Sequence, residues 1–101
     1  MDNMRLEWGP QAIENLFFIL GHISDHNVQA AQNLYGEVRK RLKLTLTFPQ
    51  MYRASTRMDG VREIVVTANY IVPYRVTTSF VEVIDVVHAR RNWPDAPAAA
   101  P

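Results

Sequence analysis

What most limits the fold of this chain is a series of three apolar segments set end to end: VREIVVT (61–67), YIVPYRVT (70–77) and FVEVIDVVH (80–88). Each is rich in β-branched and aromatic residues, which suit a pleated surface. Only Ala68-Asn69 and Thr78-Ser79 separate them. Links that short allow hairpins and exclude a crossover helix. The three segments therefore predict an antiparallel meander. Pro73 sits inside the second one and has no N–H to give a ladder, which predicts a bulge or a missing bond there.

The meander is apolar on both faces. Under strict alternation Val81, Val83 and Val87 face one way, and Phe80, Ile84 and Val86 the other. Likewise Ile64 and Val66 oppose Val65, while Val72, Tyr74 and Val76 oppose Ile71. Upstream, Met4, Leu6 and Trp8 alternate with Arg5 and Glu7 as a short strand. Gly9 breaks it, and Pro10 occupies a first helical position, where a missing N–H costs nothing. Ile13, Leu16, Phe17, Leu20 and Ile23 then share one helical face, with Phe18 nearly opposite. Asn27 is the expected N-cap of a second helix carrying Val28, Ala31, Leu34, Tyr35, Val38 and Leu42 on one stripe. That helix is expected to end before Pro49. Residues 48–60 form a polar connector closing on an Asp59-Gly60 turn.

These elements predict an α+β domain of order β-α-α-β-β-β: a twisted, mainly antiparallel four-stranded sheet with a helical hairpin on one face. It fills residues 1–94 as a single domain, and the low-complexity segment 95–101 is expected to be disordered. Two adjacent helices cover only one face of such a sheet. The apolar face left over predicts a partner.

Charge also points to a partner. Residues 1–38 carry one basic side chain against five acidic ones, and residues 39–91 carry ten against four. A basic second half fits an anionic surface on protein or nucleic acid. There is no cysteine, so disulfide and thiolate chemistry are excluded. The N-terminal residues lack the layout of a signal peptide, and no apolar run reaches membrane-spanning length, so the cytoplasm is the expected location. His22 and His26 lie four apart, but the stretch is polar and offers no third ligand. No metal or cofactor is expected.

The C-terminal half carries a recognisable combination: Gly60, Arg62 and Glu63; Tyr70, Tyr74, Arg75 and Val76; then Val86, His88, Ala89, Arg90, Arg91, Trp93 and Pro94. With the order of elements, it resembles the RelE/ParE superfamily of type II toxin–antitoxin toxins, nearest the ParE branch of plasmid-stabilisation proteins. The resemblance implies a toxin that traps DNA gyrase without catalysis and is held in a hetero-oligomer by a cognate antitoxin. It also leaves an alternative: a RelE-like, ribosome-dependent mRNA endonuclease.

That alternative needs a group for general acid–base work and cations on the scissile phosphate. Arg62 and His88 are the candidates. Against them, no tyrosine follows His88, and the chain has only two lysines, Lys40 and Lys43. The preferred expectation is therefore a binder, with no catalytic residue. Its target contacts are expected at Arg57, Arg62, Arg90, Arg91 and Trp93, taken as exposed. Antitoxin contacts are expected at Phe18, Tyr74, Phe80, Ile84 and Val86.

Overall fold

A computed structural model describes residues 4–91, 93 and 94. Strand β1 (Arg5–Trp8) is followed by helices α1 (Pro10–Ser24) and α2 (Val28–Thr45). Then come β2 (Arg53–Ala54), β3 (Arg62–Thr67), β4 (Tyr70–Val76), β5 (Phe80–Val83) and β6 (Val87–His88). The sheet order is β1-β5-β4-β3-β2, with β6 also paired to β4. The meander is antiparallel as expected, and β1 joins β5 in parallel, Arg5 opposite Phe80 and Trp8 opposite Val83.

The expected α+β class and order are observed, with six strands in place of four. One extra strand is β2, a two-residue rung inside the connector that pairs with β3. The other arises because the last segment is broken. Between the Ile71–Val87 and Tyr74–Val83 pairs, β4 contributes two residues and its neighbour three. This is the bulge that Pro73 signals, and it lies on the facing strand. There the Ile84 N–H donates to Pro73 O at 2.9 Å. Asp85 is buried at the bulge, and its Oδ1 accepts from the Val86 N–H at 2.8 Å and from Asn15 Nδ2 of α1 at 2.6 Å.

An extra residue reverses the alternation beyond it. Val81, Val83 and Val86 therefore share the helix-side core with Ala12, Leu16, Leu34, Val38, Leu42, Ile64, Val72 and Tyr74. Ile84 and Val87 join Val61, Ile71, Met58, Ala89 and Trp93 in a second cluster. The expected facing of Val86 and Val87 is thus corrected by the bulge. So is the expected bare sheet face, since the chain's own connector and C-terminal segment cover part of it. The segment 95–101, expected to be disordered, lies outside the described residues.

Local chemistry accounts for the helix ends. Asn27 Oδ1 accepts from the Ala30 N–H at 2.9 Å, the predicted cap. Gly9 starts α1 without a side-chain cap, and a Cβ there would lie 3.2 Å from Val83 O, which keeps this position small. Gly60 has φ +77°, so the Asp59-Gly60 turn needs a residue that enters the left-handed region freely. Among the described residues no helix is long and apolar enough to cross a membrane.

Tyr74 ties the connector to the core. Its hydroxyl donates to Pro49 O at 2.7 Å, and its ring meets Tyr52 edge-on. Burial raises its pKa and outweighs the nearby Arg62 guanidinium, which acts in the opposite direction. The neutral phenol is thus favoured by folding. Its contribution is fully present below the unfolded value of about 10 and is lost as pH rises through the raised folded value. Y74F should lower stability by about 1 kcal/mol at neutral pH through the lost hydrogen bond. It should also lose less further stability than the native chain between about pH 8 and about pH 10.5, measured by urea titration.

Candidate functional site

Two surfaces stand out, at opposite ends of the chain's chemistry. The first is an open apolar groove of about 820 Å³ where α1, α2 and β1 meet. Leu6 and Trp8 form its strand wall, Ile13 and Phe17 its α1 wall, and Tyr35 and Leu42 lie on α2. The spacing of Ile13 and Phe17 predicts core positions, yet Ile13 is exposed and Phe17 is 67% exposed. The α1 residues actually enclosed are Ala12 and Leu16, with Ile19, Leu20 and Ile23 half-buried against them. This helix is apolar around more of its circumference than one sheet and one neighbouring helix can cover. That excess was the available signal for the groove.

The groove's rim is cationic, with Arg39, Lys40 and Lys43 along α2. Arg39 stacks its guanidinium over Tyr35, 5.6 Å from the ring centroid. Glu37 is engaged with Arg41 at 3.0 Å and more distantly with Lys40. Among the described residues Arg39 and Lys43 have no carboxylate within ion-pair distance. An apolar floor with a predominantly basic rim suits an amphipathic, acidic segment.

The second surface is the C-terminal segment folded back on the sheet. Arg90 and Arg91 are exposed. Trp93, expected to be exposed, is only 5% so and fills the second cluster. An indole flanked by charged residues reads as exposed in sequence, and the apolar pocket formed by Val61, Ile71 and Val87 overrides that. Arg57, from the connector, donates through Nη1 to Arg91 O at 3.1 Å and to Trp93 O at 3.3 Å.

The positions expected to meet an antitoxin divide in the same way. Tyr74 and Val86 have no accessible surface, so contact through them is corrected to a role in the core. Phe80 is half-buried beneath the Arg5 guanidinium, and Ile84 is half-buried on the second cluster. Phe18 is 74% exposed and stacks on His22, outside the groove lining.

Arg62 and His88 do not come together. Arg62 is opposite Tyr74 and His88 opposite Tyr70, on different sides of β4. Those two tyrosines are four residues apart, roughly 13 Å along a strand. The Arg62 guanidinium turns the other way, donating to Tyr52 O at 2.8 Å and reaching Gln50. His88 Nδ1 accepts the Arg90 N–H at 3.1 Å, so that nitrogen carries no proton in this arrangement. Its ring sits edge-on to Tyr70.

Comparisons with known proteins agree with the resemblance carried by Gly60 to Pro94. The family model described as the ParE toxin of the type II toxin–antitoxin system parDE matches residues 6–93. Y4kP of Sinorhizobium fredii, described as a candidate toxin, is 28% identical over 95 residues, spanning 93% of this chain and 97% of its own length. A solved chain from the chromosomal ParDE TA system of P. aeruginosa superposes with a TM-score of 0.72 at 19% identity. That alignment covers 85% of this chain and 96% of the other, a likeness of fold.

Proposed function

The chain belongs to the ParE toxin family of type II toxin–antitoxin systems, and from that premise we propose that it inhibits DNA gyrase by binding alone and is silenced by a small cognate antitoxin. The observation that carries the non-catalytic reading is the separation of Arg62 from His88. A nuclease must set its acid–base group and its phosphate-binding cation around one scissile bond. Here one group is bonded toward the β2 edge and the other toward its own strand end. Mutual placement of that kind supports binding over cleavage of mRNA on the ribosome.

The antitoxin belongs in the groove. A disordered acidic segment that folds on contact covers a large apolar surface at the cost of its own ordering. Ile13, Phe17 and Tyr35 supply the apolar anchors, and Arg39, Lys40 and Lys43 supply the charge. The gyrase contact belongs to the C-terminal segment, where Arg90 and Arg91 present cations on a backbone anchored by Trp93. Arg62 is half-buried and its donors are engaged, so it plays a lesser part in the contact than the exposed Arg90. On this reading the protein works in the bacterial cytoplasm as part of a toxin–antitoxin hetero-oligomer that stabilises a plasmid or its equivalent locus.

Induction of the chain without its antitoxin tests the reading. The expected result is a DNA-damage response with protein synthesis continuing at first. Prompt translation arrest with cleaved mRNA and intact chromosomes would favour the endonuclease instead.

A further inference from the structure

We propose that Arg57 is a positioning residue, whose guanidinium clamps the main-chain carbonyls of Arg91 and Trp93 so that the cations of the C-terminal segment are presented to the target in a fixed arrangement. The inference deepens the reading of the C-terminal segment as the target contact and rests on it. Arg57 was expected to touch the target directly. Instead, its Nη1 is shared between the main-chain carbonyls of Arg91 and Trp93. A charged donor on two carbonyls is among the stronger neutral-acceptor arrangements available to a surface segment.

The loop that carries Arg57 is itself held in place. Glu63 is buried, and its Oε1 accepts from Arg53 Nε at 3.0 Å and Nη2 at 2.8 Å. Its Oε2 accepts the Ser55 hydroxyl at 2.7 Å. The Ser55 oxygen in turn accepts the Arg57 N–H at 3.0 Å and the Met58 N–H at 3.2 Å. Ser55 N–H closes the loop on Val61 O at 2.7 Å. A buried carboxylate on β3 thus fixes a serine, the serine fixes the loop backbone, and the loop aims the guanidinium.

At the other end, the backbone of the segment is held by short-range bonds. Ala89 N–H donates to Asn69 O, and short turns close from Arg91 N–H to His88 O and from Trp93 N–H to Arg91 O. Among the described residues of the segment, Trp93 is the large side chain that enters the second cluster. A surface segment loses conformational entropy when ordered, and an added attachment point lowers what the target must supply. Met58, beside Arg57, packs in the same cluster as Trp93, so the clamp and the anchor share one platform.

Amide exchange in the full-length chain, read together with growth arrest on induction, tests this. In R57A the Arg91 and Trp93 amides should exchange about tenfold faster, the size of effect expected from losing one charge-assisted attachment. Growth arrest should weaken while antitoxin affinity is unchanged. R57K, which keeps a single cationic donor, should fall between R57A and the native chain in both readouts. S55A, which leaves the guanidinium intact but frees its loop, should move both readouts in the same direction as R57A. If R57A does not fold, R57K and S55A carry the comparison. Unchanged exchange at Arg91 and Trp93 in R57A overturns the clamp, whatever happens to toxicity. Faster exchange with full growth arrest also overturns it, provided that R90E/R91E abolishes arrest. If R90E/R91E retains arrest as well, the target-contact reading fails, and the clamp's role in toxicity fails with it.

Discussion

Ending the chain after His88 is expected to abolish growth arrest while leaving antitoxin affinity within about threefold, because the two surfaces share no residues. The groove is built from β1, α1 and α2. The removed residues carry Arg90 and Arg91 and the Trp93 anchor. The truncation also uncovers Val61, Ile71 and Val87, and the lost burial of an indole should cost about 2–3 kcal/mol of stability. Antitoxin binding is therefore the control for folding. The companion is R90E/R91E, which retains Trp93 and reverses the charge of the segment. Loss of arrest in both variants with retained antitoxin binding assigns target recognition to the segment's cations. Full arrest in the truncated chain would remove the C-terminal segment from the site.

Replacing Phe17 with glutamate should raise the antitoxin dissociation constant by about a hundredfold and leave growth arrest intact when the antitoxin is absent. Phe17 is largely exposed, so the substitution takes little from the fold. In a complex, the same ring would be buried, and its apolar area is worth about 2–3 kcal/mol. A carboxylate at that point also opposes the acidic segment that the rim of Arg39, Lys40 and Lys43 is suited to attract. Calorimetric titration with the purified antitoxin measures the affinity, and co-expression measures the failure of neutralisation. A dissociation constant within about threefold of the native value would move the antitoxin away from the groove. F18E serves as the comparison, since Phe18 is exposed and lies outside the groove lining.

Both predictions depend on how residues are distributed between surfaces, and only part of that was legible in the sequence. The meander was legible because its links are too short for any other connection and its segments are rich in β-formers. The second helix was legible from Asn27 and from the stripe Val28, Ala31, Leu34, Tyr35, Val38 and Leu42, of which Ala31, Leu34, Val38 and Leu42 are buried while Val28 and Tyr35 are exposed. Pro73 announced a bulge or a missing bond, since a residue without an N–H disturbs its ladder. It could not announce that the extra residue would sit on the facing strand at 84–86, and that placement decided which valines face the helices. Val86 and Val87 exchanged faces for this reason alone.

The site was less legible than the fold. Ile13 and Phe17 obey helical spacing as well as Leu16 and Leu20 do, and periodicity does not say how wide a stripe the neighbours cover. Trp93 lies between Arg90, Arg91 and Pro94, a setting that reads as surface. Its burial depends on a cavity built by residues as distant as Val61 and Ile71. Arg57 and Trp93 appeared separately as target contacts, whereas the fold joins them into one attachment. Long-range pairings of this kind have no local signature, because the spacing between partners is set by the topology.

The most direct measurement of the central claim is the effect of the purified chain on purified gyrase. Supercoiling should be inhibited, with accumulation of cleaved, enzyme-bound DNA, and prior addition of the antitoxin should prevent both. R90E/R91E should be inactive in the same reaction. Unimpaired supercoiling at concentrations well above those that stop growth, together with site-specific cutting of ribosome-bound mRNA, would contradict the binding mechanism.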